Sequence, residues 1–307
     1  MAALMYHLFS SASLVSLGLY HLISAAHSHL KSPQSYSARP YHPLPLHNRP
    51  FLRHLQLYLL IICLLIAAAV QAASSTTFDP LVKGNSPVHR FTSLHSAAIL
   101  LLFLIVSLSI LLSDSLLSLF PPIPTDLVFA LASAAFYLQY SASSSAAAAQ
   151  TSDLEGKCDS ISSLISAFSA LLCLALAVNT KLFIADFGLG ASICLQGLWV
   201  LQTGLSLYVE AFIPEGCHRL LDVASGVESS TKCDLDESKL RALAILDLVF
   251  AVHVMFVMIT VLSIYAAVAK GVGARKLGSY EALPITGDRD RDTNSHIQMK
   301  SLTGTQA

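Results

Sequence analysis

Apolar residues fall along this chain in separated blocks of about twenty, the length that crosses a bilayer as a helix, with polar connections between them. The blocks cover residues 4–26, 55–73, 91–117, 126–143, 161–178, 182–212 and 240–269. Soluble amphipathic helices keep a solvated face, and these blocks do not. The pattern predicts an all-α, polytopic membrane helix bundle of about seven transmembrane helices, forming one domain over residues 1–270. A polar tail, 271–307, follows and is expected to be disordered.

Local signals refine the connections. The first block lacks a basic start and a small-x-small exit, so it reads as a span and not as a cleaved leader. The second, behind Arg53, resembles a leader more closely but begins some fifty residues into the chain. Pro121, Pro122 and Pro124 force a short extended turn between the third and fourth blocks. The fourth is diluted by Gln139 and several serines, and the low-complexity run SASSSAAAAQTS after it reads as a flexible connection. Asn179 to Lys181 links the fifth and sixth blocks tightly, which predicts an antiparallel pair. Pro214 ends the sixth.

The sixth block is the one the others are organised around. It carries Gln196, Trp199, Gln202, Thr203 and Glu210 inside an apolar run. At about 100° per residue, Gln196, Trp199, Thr203 and Glu210 share a narrow arc. Lipid offers such groups no partner, so the arc is expected to face other helices. With His21, His95 and His253 from the first, third and seventh blocks, these four residues make the candidate interior polar seam and the candidate binding residues.

Composition agrees with the spans. Hydrophobic residues make up 54% of the chain and charged ones 12%, with mean hydropathy +0.63, against about 25% charged in a soluble domain. The net charge of -1 and the lack of any basic face exclude a nucleic-acid partner. The lipid bilayer is the partner the composition demands, alongside protein partners or a second copy of the chain. Seven spans put the termini on opposite sides. With the N-terminus outside or lumenal and the C-terminus cytosolic, cytosolic segments hold eleven lysines and arginines and the opposite side seven, the sign that the positive-inside rule expects. That topology suits the secretory pathway or the plasma membrane. It also places Cys158, Cys217 and Cys233 in a compartment that permits disulfides. Cys217 and Cys233 bracket one polar loop and are the candidate disulfide, with Cys158 a competing partner and three free thiols the alternative.

Candidate chemistry lies in embedded ionisable groups. Even a lenient insertion scale charges about 2.5 to 3.5 kcal/mol for a charge at mid-membrane, so His7, His21, His95, Asp114, Asp186, Glu210, Asp247 and His253 call for explanation. Several sit near block ends and reach headgroups or water. His7 and His21 share a face but lie roughly 21 Å apart along one helix, too far for one ion. No HxxxH or HExxH spacing fixes two ligands on a helix, and no nucleophile elbow surrounds any serine. No catalytic residue, metal or cofactor is therefore assigned. In the tail, Tyr280 to Leu283 has the pattern of a tyrosine-based sorting signal.

The stretch CLQGLWVLQTGLSLYVEAFIPEGCH, Cys194 to His218, resembles plant members of the transmembrane protein 45 family, as do GLYHLI (Gly18 to Ile23) and CDLDESKLRALAILDLVFAVH (Cys233 to His253). The likeness covers most of residues 1–270 in order. It implies an integral membrane protein with several spans and brings no activity or catalytic residues. The first block departs from relatives, which open on a Gly-His-x-x-Pro-Gly pattern where this chain has MYHLFSSASL. Three function classes follow: a binding or scaffold protein first, a proton-coupled or small-solute carrier using Glu210 and a histidine second, a metal-dependent intramembrane enzyme third.

Overall fold

The structure, a computed structural model, describes residues 2–43, 53–75, 88–115, 123–150, 152–221 and 228–278. Seven long helices account for most of them: α1 (Ala2–Lys31), α2 (Leu55–Ser74), α3 (Val88–Ser115), α4 (Thr125–Ala149), α5 (Asp153–Val178), α6 (Phe183–Tyr208) and α7 (Asp236–Gly278). Six are long and apolar enough to cross a membrane; α4 is long enough, but its small and polar residues keep it below that apolarity. The fold is thus an all-α polytopic bundle. Strands β1 (Cys217–Leu221) and β2 (Glu228–Cys233) pair antiparallel as a hairpin between α6 and α7, with Cys217 opposite Cys233. The two sulfurs stand at bonding distance, 1.98 Å.

Helix bounds move where the chain carries signals beyond apolarity. Residues 141–149, expected as a flexible connection, are the last turns of α4, because a run of serine and alanine is a fair helix former when a neighbour packs against it. The expected fifth span begins at 161, whereas α5 begins at Asp153. Ser152 caps it by accepting from the Glu155 amide at 3.4 Å, and Asp153 and Glu155 stand in its first turn, where the helix dipole favours anions. Cys158 is therefore a buried helical residue and a free thiol, not a loop partner for Cys217 or Cys233. The expected sixth span runs to 212, but α6 stops at Tyr208 and a single 3-10 turn, Glu210–Phe212, follows. Helix continues to Gly278 where the tail was expected. Tyr280 to Leu283 lies outside the described residues.

Contacts between side chains fix the directions. Ser169 meets Ser192, Ser162 meets Gln196 and Cys158 meets Trp199, so α5 and α6 run antiparallel. Helix α1 lies antiparallel on α6 through glycine. A Cβ on Gly197 would stand 2.8 Å from the Val15 backbone nitrogen, and one on Gly204 would stand 2.6 Å from His7 Cβ. Gly190, Gly197 and Gly204 recur every seven residues and make one stripe that lets the α1 backbone come close, the usual means of helix association where hydrocarbon gives no hydrophobic drive. Two buried apolar clusters flank this pair. One holds Trp199, Leu154, Ile161, Leu207 and Leu246; the other holds Phe129, Cys173, Leu176, Leu189 and, from the chain after α1, Ala38.

Candidate functional site

The seam residues of α6 do not converge on one point. Trp199 is fully buried and donates its Nε1–H to the Cys158 carbonyl at 3.0 Å, with Phe250 packed edge-on against the indole. Gln196 donates to Ser162 Oγ at 3.1 Å. Thr203 donates back to the Trp199 carbonyl of its own helix at 3.0 Å. His253, half-buried on α7, is satisfied at 2.8 Å by the Val249 carbonyl one turn earlier and stands edge-on to Trp199. Each of these groups finds a partner within its own helix or the next one, although the Gln196 carbonyl oxygen stays buried and unpaired among the described residues. Two predicted members leave the interior. Glu210 falls beyond the end of α6, in the 3-10 turn, and is exposed. His95 is exposed on α3, two positions from both Ser93 and Ala97 and so on the side of the helix opposite to their buried face.

His21 belongs elsewhere. It is buried on α1, and its Nε2 donates to Asp186 Oδ1 at 2.8 Å. Asp186 is wholly buried in the first turn of α6, where the positive end of the helix dipole favours a carboxylate. The second carboxylate oxygen accepts from the Tyr36 hydroxyl in a short hydrogen bond. The His42 ring lies 5.3 Å from the His21 ring, centroid to centroid. One ligand atom each from His21, His42 and Asp186 lie within 4.8 Å of one another. The centre is thus assembled from α1, α6 and the segment between α1 and α2.

That segment is a strap. After Lys31 the chain makes one 3-10 turn, Pro33–Ser35, and runs back along the bundle. Non-helical backbone packed against helices must have its polar groups met by the protein around it. The Ala38 amide donates to the Thr180 carbonyl in the α5–α6 turn at 2.7 Å, and the Ala38 methyl is wholly buried. Tyr20 on α1 donates to the His42 carbonyl at 2.9 Å, while Gln56 on α2 accepts from the His42 amide at 3.3 Å. Tyr41 makes a short bond to Asp114 at the end of α3, a carboxylate that also has His54 at 3.4 Å and Arg53 at 4.0 Å. Two tyrosines of the strap therefore bind two acids on different helices. Burial is the main reason that both phenols are held protonated well above the usual tyrosine range, and the neighbouring carboxylate adds to it. Burial, with His21 nearby, pushes His42 down to about 4, so its imidazole is neutral at neutral pH.

Two imidazoles, a carboxylate and a phenol in one buried cluster can hold and exchange a proton. They also contain a set of nitrogen and oxygen donors suited to a divalent transition metal. Sequence reading picked out His21 and Asp186 separately and assigned neither a metal. It missed Tyr36 and His42 because they stand in a proline-rich connection, where periodicity carries no information. The sequence gives no local sign that this connection turns back into the bundle.

No curated protein matches the chain. Residues 125–266 match the sequence profile of a family of unknown function, DUF716, a stretch that contains Asp186 and the α6 seam but neither α1 nor the strap.

Proposed function

We propose that this is a multi-pass membrane binding protein whose working centre is the His21–Asp186–Tyr36–His42 cluster, and that the α6 seam only joins helices. What carries the reading is that His21 and Tyr36, 165 and 150 residues away in sequence, bond to the buried Asp186 carboxylate, with a His42 ring nitrogen within 4.8 Å of the His21 and Asp186 ligand atoms. The seam groups each bond to one neighbour on their own or the next helix and do not converge. A carrier using Glu210 loses its support, because that carboxylate is exposed beyond the helix end. The resemblance of Cys194 to His218 supports placing the chain among plant transmembrane protein 45 proteins. The excess of lysine and arginine supports an N-terminus outside or in the lumen, a cytosolic C-terminus and a strap on the cytosolic side. The secretory pathway or plasma membrane is the compartment that suits this orientation and the Cys217–Cys233 bridge. Protein partners or a second copy complete the scaffold reading.

The test is a thermal-melt screen of the purified full-length protein in detergent against metals, nucleotides, sterols and phospholipids, run beside proteoliposome flux. A ligand that raises the melting temperature of the wild type and of Glu210→Gln, but not of His42→Ala, is the expected result. Flux that vanishes in Glu210→Gln, or a ligand shift indifferent to His42, would replace the proposal with the carrier.

A further inference from the structure

We infer that His21, His42 and Asp186 form a binding site for a divalent first-row transition metal of the zinc class, enclosed by α1, α6 and the strap. This rests on the reading above that the cluster is the binding centre, and it names the chemistry of the ligand.

Donor type comes first. Two imidazoles and one carboxylate are the set that zinc takes in sites with an open fourth position, whereas calcium and magnesium prefer oxygen throughout. Geometry is compatible. Donors at about 2.0–2.1 Å from a tetrahedral ion stand about 3.3 Å apart, and the three ligand atoms already lie within 4.8 Å of one another. A closing shift on the order of an ångström completes the site. The surroundings are those of held ligands. Tyr36 donates to the carboxylate oxygen that His21 leaves free, and Tyr20 and Gln56 fix the backbone of His42 from both sides. A second observation points to something not yet bonded. His42 Nε2 is buried and has no hydrogen-bond partner among the described residues. Buried ring nitrogens are normally paired; His7 Nδ1 and His29 Nδ1 are also left unpaired, but among the described residues the idle nitrogen of His42 is the one that belongs to a group of imidazole and carboxylate ligand atoms close enough for a single ion. On binding, the ion takes the place of the proton between His21 and Asp186, and the His21 ring ligates as a neutral imidazole with its proton moved to Nδ1.

The experiment uses the full-length protein, purified in detergent without a polyhistidine tag, stripped with chelator and then given Zn²⁺ or Co²⁺. Elemental analysis after desalting is expected to find a stoichiometric ion per chain, and Co²⁺ to give the strong visible absorption of a four-coordinate site. His42→Ala is expected to weaken Zn²⁺ binding at least 100-fold. Tyr36→Phe keeps every ring and is expected to weaken it about 10- to 100-fold. His253→Ala should bind as the wild type does. A thermal melt without metal shows that each variant is folded, and Tyr36→Phe decides the matter where His42→Ala is not. Substoichiometric zinc, or zinc held equally by His42→Ala and Tyr36→Phe, overturns the inference. If metals leave the melt unchanged while an organic ligand stabilises the wild type and not His42→Ala, the metal assignment fails and the binding centre stands. If no ligand of any class depends on His42, both fail.

Discussion

The surroundings of Trp199 and those of Asp186 lie on the same helix, about thirteen residues apart, and both bury polar groups in an apolar bundle. They solve that problem differently. Around Trp199 the indole reaches the carbonyl of the next helix, and Thr203 and His253 each turn back one turn on their own. Each of these groups bonds to a single neighbour among large apolar side chains, and the Gln196 carbonyl oxygen is left buried without a partner among the described residues. Around Asp186 one carboxylate accepts from His21 and Tyr36, brought from α1 and from the strap, and a further imidazole stands beside it. Hydrogen bonds between adjacent helices suffice to join them. An ionisable cluster gathered from three separate segments exceeds what joining two helices requires, and that excess is the ground for the binding centre proposed above.

The comparison breaks most visibly at the indole. Trp199→Ala removes the largest fully buried side chain together with its hydrogen bond, and is expected to destabilise the protein by about 3–5 kcal/mol. The readout is reversible unfolding in mixed micelles, or the melting temperature in detergent. Ligand binding at Asp186 should survive in the fraction that stays folded. Loss of binding with an unchanged melt would mean that the two regions are one site.

Gly197→Leu sharpens the same contrast from the α1 side. The new side chain would meet the backbone of Val15, which has no rotamer to yield. The expected loss is about 1–3 kcal/mol from overpacking. Unlike Trp199→Ala, it should also weaken binding at the centre, because pushing α1 off α6 carries His21 away from Asp186. Stability from the micelle assay and zinc affinity from the same preparations give the two numbers to compare.

How much of this was legible beforehand follows from the same distinction. Apolar block length alone located every long helix, since each backbone must satisfy itself in hydrocarbon. Two local signals lie outside apolarity: Ser152 with Glu155 three residues on, a capping-box spacing that starts α5 early, and glycine every seven residues from Gly190, the stripe on which α1 lies. Placing Glu210 on the α6 arc failed because helical phase was extended past the point where the helix ends. His95 failed because a polar residue in an apolar block points inward only if its face is the packed one, and block length does not say which face that is. The centre was half legible. His21 and Asp186 stood out as embedded ionisable residues, but nothing in one sequence pairs two positions 165 apart or folds a proline-rich connection back between helices.

Glu210→Gln is the substitution for which the smallest effect is expected, and it tests the comparison most directly. Two hydrogen bonds to a buried carboxylate, from His21 and Tyr36, are what make Asp186 costly to change, and Glu210 has no such burial. Its side chain is exposed in the single turn after α6, and the backbone there is held through the Glu210 carbonyl, which accepts from the Ile213 amide at 3.2 Å whatever the side chain is. A surface change of this kind stays within about 0.5 kcal/mol. Flux and ligand binding should be unchanged, with the melting temperature of Glu210→Gln and of wild type measured side by side. A loss well above that figure would mean that the Glu210 carboxylate is buried against a partner, a second copy of the chain included, and the seam would then extend past the helix end into an interface.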